Sequence, residues 1–171
     1  MENASKALIM AASILIGILI LSLAVYLFVS FGSTSRDVHK QIDTQRIEQF
    51  NSQFTSYEGK EDITIHDVIT VANLATETNI YYELKKSDAG QGSNYITVIL
   101  SNDSYPNKQI QGSYEDNLET LRNMYNNIIL NEPMKIQTID AMETKVLPKY
   151  TCKIDISPIT KRVYKVTFIK K

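Results

Sequence analysis

Residues 7–31 carry no charged side chain, and 21 of these 25 positions are Ala, Val, Ile, Leu, Met, Phe or Tyr. An uncharged run of this length leaves few solutions, because peptide groups among apolar side chains must hydrogen-bond to one another, and a single segment achieves that only as a helix. At about 1.5 Å per residue such a helix is on the order of 37 Å long, enough to cross a ~30 Å hydrocarbon core with tilt. The segment therefore predicts a single transmembrane helix.

Chain-wide averages conceal this run. The 171 residues are 43% hydrophobic and 22% charged, with net charge -1 and mean hydropathy -0.17, values typical of a soluble protein. Residues 32–171 hold only 51 apolar residues in 140 together with 35 of the 37 charges. The chain divides on this basis into a short flank (1–6), the transmembrane helix (7–31), an amphipathic juxtamembrane helix and linker (32–58) and a small domain (59–171). A cleaved signal peptide is the competing reading, since Ser30-Phe31-Gly32 offers small residues for a cut. Cleavable apolar regions run to about 7–15 residues, so this longer one is read as an uncleaved anchor. No cysteine stands at its end to carry a lipid.

Within the span, Ser13 and Gly17 form a small-xxx-small pair and Ala24 lies on nearly the same face, a pattern that permits close helix–helix approach in lipid. Tyr26, Phe28 and Phe31 suit an interfacial aromatic belt. Lys6 stands before the span, and Arg36, Lys40 and Arg46 follow it, so a literal count of cations would place the domain in the cytoplasm. Those three alternate with Asp37, Asp43 and Glu48, and Ser, Thr, Asn and Tyr together supply 50 residues, a hydroxyl- and amide-rich surface. An exported domain is the reading adopted.

Val38, Ile42, Ile47, Phe50 and Phe54 make a narrow helical stripe after the span. With no intervening proline, one helix is expected over 7–54, and the stripe is a candidate interaction surface for the domain or a neighbouring subunit. A turn follows at 57–60. Thr64 with Asp67 three residues on then reads as a capping box, with Ile63 and Val68 as the staple, and Ile65, Val68, Ile69, Ala72 and Ala75 as the buried face of a helix that Asn79 would end in the left-handed conformation. Runs 80–85 and 95–100 predict a hairpin around a long loop containing Gly90 and Gly92. Ser113 with Asp116 predicts the start of another helix, which Pro133 would stop. Residues 135–139 favour a strand. Residues 150–157 and 162–170 alternate as a hairpin about a turn at 158–161. The fold class is α+β, with two domain helices and a mainly antiparallel sheet.

The sequence offers little chemistry. His39 and His66 lack a second ligand at helical spacing, Gly90-Gln91-Gly92 precedes a strand rather than a helix, and no nucleophile motif occurs. No catalytic, cofactor-binding or metal-binding residues are assigned, and no cofactor is expected. The Asn- and Asp-rich stretch 102–107 is explained by turn chemistry, and Asn102-Asp103-Ser104 is formally a glycosylation acceptor. Cys152, the single cysteine, lies in an alternating apolar run and reads as a core residue. The balance of 18 Lys+Arg against 19 Asp+Glu gives nucleic acid no basic stripe. Ten tyrosines could make an adhesive surface, with sheet packing the default for most.

A charge-free helix near the start of the chain, its amphipathic continuation and a small α+β domain together resemble the layout of type IV pilins and pilin-like proteins. The resemblance covers the architecture of residues 1 to about 54. It implies a first helix that anchors a subunit in the membrane and later packs in a filament. Glu2 lies ahead of the span, whereas a pilin carries a glutamate inside it. The stretches MENASKALIM, FNSQF and YEG resemble bacterial single-pass membrane proteins, a group that carries no function over. The expectation is an extracytoplasmic protein-interaction or assembly domain, with the bilayer and a second copy or an envelope protein as partners. The alternative is a tethered sensor or accessory domain binding a small ligand or cell-envelope polymer, which would need a pocket between the sheet and the helix after Ser113.

Overall fold

The computed structural model describes residues 2–102, 104–131, 135–139 and 142–171. Two compact units divide the chain, Met1–Arg46 and Ile47–Lys171.

The described residues of the first unit all lie within α1, a helix running unbroken over Glu2–Thr55. Its apolar side chains point outward: Leu8, Ile14, Leu21 and Phe28 are among many exposed ones, and the most apolar window has no buried residue. The polar residues in this stretch bond locally. Ser13 Oγ donates to the Ile9 carbonyl at 2.7 Å and Ser22 Oγ to the Leu19 carbonyl at 2.9 Å, so neither hydroxyl is left bare on an apolar surface. Among the described residues, one helix is thus long and apolar enough to cross a membrane.

The second unit is an α+β domain, as the sequence predicts. It comprises the last turns of α1, then α2 (Ile65–Tyr81), β1 (Thr97–Ser101), β2 (Lys108–Gln109), α3 (Leu118–Leu130), β3 (Lys135–Ile139), β4 (Met142–Val146), β5 (Tyr150–Ile156) and β6 (Val163–Lys170). Four strands form a sheet in the order β2-β1-β6-β5, and β3 pairs with β4 separately. Pairing is antiparallel except between β1 and β6, which run parallel with Val98 beside Val166 and Leu100 beside Phe168. A parallel pair needs a long crossover, here the whole segment from β2 to β5.

The core combines Phe54, the inner face of α2, Ile96, Val98 and Leu100, Ile110, and Leu121, Tyr125 and Ile128 of α3 with Tyr150, Cys152, Val163, Val166 and Phe168. Alternation explains the strands: Val166 and Phe168 face inward while Ile169 is exposed. The α2 start is as predicted. Thr64 Oγ1 accepts from the Asp67 N–H while the Asp67 carboxylate accepts from the Thr64 N–H at 2.8 Å, and Ile63 and Val68 are both buried. The β5–β6 hairpin also forms as expected, closed by Lys161 at φ 59°.

Three local expectations are corrected. Asn79 does not end α2. It lies inside the helix and is fully buried, the helix runs on to Tyr81, and the left-handed residue is Glu83 (φ 53°). Residues 80–85 are therefore helix end and turn rather than a strand, and the expected hairpin with 95–100 is replaced by the β1–β2 and β1–β6 pairs. Helix α3 starts at Leu118, not Ser113. The Ser113 N–H and Oγ both donate to the Asp116 carboxylate at 2.7 and 2.8 Å while the Asp116 N–H donates to the Ser113 carbonyl, a turn that shares only the carboxylate arm of a capping box, and Asn117 then caps the helix by accepting from the Glu119 N–H. The proposed stop at Pro133 and Asp103 of the glycosylation acceptor lie outside the described residues.

A buried polar network replaces the left-handed Asn79. Its side-chain amide donates to the Ile96 and Gly112 carbonyls at 3.0 and 2.9 Å, and its oxygen accepts from the Ile96 N–H at 2.9 Å. Thr76 Oγ1 donates to the Ala72 carbonyl, accepts from the Gly112 N–H at 2.7 Å and lies 3.2 Å from the Tyr125 hydroxyl. Gln111 Oε1 accepts from the Val98 N–H, completing the ladder where β2 is too short to do so, and its Nε2 donates to the Tyr95 hydroxyl. Burial raises the pKa of both tyrosines above 10.0. Gly112 passes so close to α2 and α3 that a Cβ there would stand 2.4 Å from Leu121 Cδ1 and 2.8 Å from Thr76 Cγ2.

Candidate functional site

The residues singled out in the sequence fall into three environments. Ser13, Gly17 and Ala24 are exposed on α1, and nothing would meet a Cβ at Gly17 within 4 Å. The amphipathic stripe divides. Val38 and Ile42 are exposed at 46% and 38%, Ile47 and Phe50 are half-buried, and Phe54 is fully buried. The two phenylalanines pack together with ring centroids 5.5 Å apart, Phe54 inside the core and Phe50 against it. The lower stripe is thus used by the domain itself, which leaves Val38 and Ile42 as its uncovered apolar members.

Phe50 also lines a surface cleft of about 330 Å³ with Leu74, Glu77, Thr78, Tyr81 and Tyr82. The Arg162 guanidinium lies 4.2 Å from the Phe50 ring centre and 5.3 Å from that of Tyr82, and it donates to the Tyr82 hydroxyl at 3.4 Å. Nearby, Asn51 Nδ2 donates to the Lys161 carbonyl at 2.8 Å, and its Oδ1 accepts from the Val163 N–H at 2.9 Å. These contacts tie the end of α1 to the β5–β6 turn. They explain the cluster as packing, although Tyr81 remains 79% exposed beside it.

A groove rich in polar side chains lies between α3 and the segment leading into β2. It measures about 580 Å³ and is lined by Tyr105, Lys108, Thr120, Asn123, Met124, Asn127 and Asn131. Asn123, Asn127 and Asn131 recur every four residues, the first two on one face of α3 with Thr120 one turn before them and Asn131 as its C-cap. Across from them the Lys108 ammonium sits 4.4 Å from the Tyr105 ring centre, and the Asn131 amide donates to the Tyr105 hydroxyl at 3.5 Å. Tyr105 is held in turn by its N–H, which donates to Asn102 Oδ1 at 2.6 Å. The Asn-rich stretch 102–107 therefore serves a turn, with Asn107 at φ 53°. The asparagine repeat was visible in the sequence. Its aromatic and cationic counterpart was not, because Tyr105 and Lys108 reach α3 only through the fold.

Titratable groups supply no reactive centre among the described residues. His39 and His66 are exposed, and no group of three metal-ligating side chains forms. Cys152 is buried in the core, and burial, with the Glu58 charge adding to it, pushes its thiol up to about 12. Such a thiol is inert at neutral pH.

No known protein family matches the chain, and neither curated proteins nor solved structures show a significant match to it.

Proposed function

We propose that the chain is a single-pass membrane protein whose extracytoplasmic domain acts without catalysis, by binding or assembling with other proteins, as a pilin-like subunit would. One long apolar helix is compatible with the anchor. The observation that carries the interaction reading is the divided stripe: Phe54 and Phe50 are taken up by the domain, while Val38 and Ile42 stay exposed on the same helix. An apolar stripe outside the hydrocarbon region is stabilised by being covered, and a partner helix, from a second copy or an envelope protein, offers the matching shape.

The test is photo-cross-linking in intact cells from a benzophenone side chain at position 38 or 42, combined with labelling of Ala89→Cys by a membrane-impermeant maleimide. Ala89 is exposed and Cys152 is silent, so the introduced thiol reports orientation alone. A discrete cross-linked product and rapid labelling are expected. Cross-links to lipid only, or labelling only after lysis, would remove the interaction or the orientation respectively.

The α3 groove favours a second reading, the tethered sensor or accessory domain binding a small ligand or envelope polymer. Its volume of about 580 Å³ falls within the range of ~300–1,000 Å³ common to ligand sites.

A further inference from the structure

We propose that the α3 groove binds an extended peptide segment of a partner protein through that segment's backbone; the inference rests on the protein-interaction reading and gives it a recognition chemistry. Three features of the groove point this way.

The first is the functional group. A primary amide presents one acceptor oxygen and two donor hydrogens. In an extended peptide, the N–H and C=O of one residue point to the same side, and the side alternates at each residue. An asparagine side chain can therefore accept from that N–H and donate to that C=O, pairing with every second residue of the ligand. The side chains of Asn123 and Asn127 have no hydrogen-bond partner among the described residues, so both are available for such pairs.

The second is the spacing. Four residues of α-helix rise about 6 Å. Two residues of an extended strand advance about 6.6–6.8 Å. The two available amides, Asn123 and Asn127, are thus within about 1 Å of the ligand's repeat along the helix axis, a difference that side-chain rotation can absorb, while Asn131, which caps α3, is held by Tyr105. A row of amides at this interval fits a polymer whose donors and acceptors repeat at nearly the same interval.

The third is charge and floor. Among the described residues, Lys108 is the one charged side chain lining the groove and forms no ion pair, its ammonium resting on the Tyr105 ring instead. One cation among amides suits one acidic side chain on an otherwise neutral ligand and disfavours a polyanion such as nucleic acid. Half-buried Met124 and Tyr105 give the intervening side chains an apolar surface.

The experiment uses the full chain in detergent micelles. The probe is a blocked, fluorescein-labelled peptide of alternating serine and valine with one central aspartate, and binding is read by anisotropy. The same peptide N-methylated at every second residue, on the edge that meets the asparagines, removes the N–H donors. If each amide contributes a net hydrogen-bond energy of ordinary size, the Asn123→Ala/Asn127→Ala double variant binds about thirtyfold more weakly, and the methylated peptide falls comparably with the unaltered protein. Asn126→Ala, on the same helix but outside the groove, changes affinity by less than about twofold on the same reasoning. Circular dichroism of each variant checks the fold. The inference is overturned if millimolar peptide does not bind, if binding is indifferent to both the double variant and methylation, or if a chitin hexasaccharide binds the groove in the peptide's place. Cross-linking at positions 38 and 42 separates the two levels. A product there with no peptide binding leaves the interaction reading standing without this groove, and failure of both removes them together.

Discussion

The two compact units handle the same physical problem in opposite ways. In the first, apolar side chains cover the outside of α1, and its serine hydroxyls fold back on carbonyls three and four residues earlier. In the second, apolar side chains turn inward, and the buried polar groups find partners far along the chain, as Asn79 does at Ile96 and Gly112. Local hydrogen bonding suffices where the surroundings are to be lipid, because the helix satisfies its own backbone. A domain in water gains its stability from burial, and burial forces long-range polar pairing. The difference shows where sequence changes should matter: substitutions at exposed apolar positions of α1 leave the folding of the domain untouched, and core substitutions in the domain act through folding.

The sharpest contrast comes from two phenylalanines. Phe168 is fully buried and Phe28 is 86% exposed. Phe168→Ala should lower the unfolding free energy of the domain by about 4 kcal/mol through lost burial and a cavity. Phe28→Ala should leave it unchanged within about 0.5 kcal/mol. Denaturant titration in micelles, followed by tyrosine fluorescence, measures both, and equal losses would break the comparison.

Next in size is Asn79→Asp. The change keeps the shape but replaces two donors with an acceptor facing the Ile96 and Gly112 carbonyls, so a loss of about 3 kcal/mol is expected from the same titration. Thr64→Ala removes one half of the α2 capping box and should cost about 1 kcal/mol, with Thr64→Ser recovering most of it.

The smallest effect at neutral pH concerns Cys152. Its folded-state pKa is raised to about 12 from an ordinary 9.0, so the folded chain holds the proton more tightly than the unfolded one. The contribution is fully present below about pH 9 and is lost as pH rises from there toward 12. Tyr95 and Tyr125, also raised by burial, add a similar loss above pH 10.0. Cys152→Ala should match the parent's pH dependence up to pH 8 and fall less steeply above 9. A slope identical to the parent's throughout would show that the thiol does not titrate with unfolding.

Much of the fold was legible because its signals are local. The Thr64–Asp67 cap, the inner face of α2 and the alternation of β5 and β6 each depend on residues within a few positions of one another. Where local chemistry was ambiguous, it misled. Ser113 and Asp116 make one arm of a capping box, the serine N–H on the carboxylate, in a turn that ends before the helix begins. Asn79 has the residue type of a helix terminator, yet it is buried as a cross-link because Ile96 and Gly112 present unpaired backbone groups to it. For the groove, the Asn123, Asn127 and Asn131 repeat was readable, whereas its pairing with Tyr105 and Lys108 was not.

By itself the sequence determined that one helix, over residues with 25 consecutive uncharged positions, is long and apolar enough to cross a membrane. It also determined an α+β domain, through periodicities that act over a single turn or a single pleat. Only the tertiary structure decided that β1 lies parallel to β6, that Phe50 and Phe54 belong to the domain while Val38 and Ile42 do not, and that an amide row on α3 faces an aromatic and a cation. Such outcomes depend on which distant surfaces bury one another, and that competition among whole-chain packings leaves no periodic trace in the order of residues.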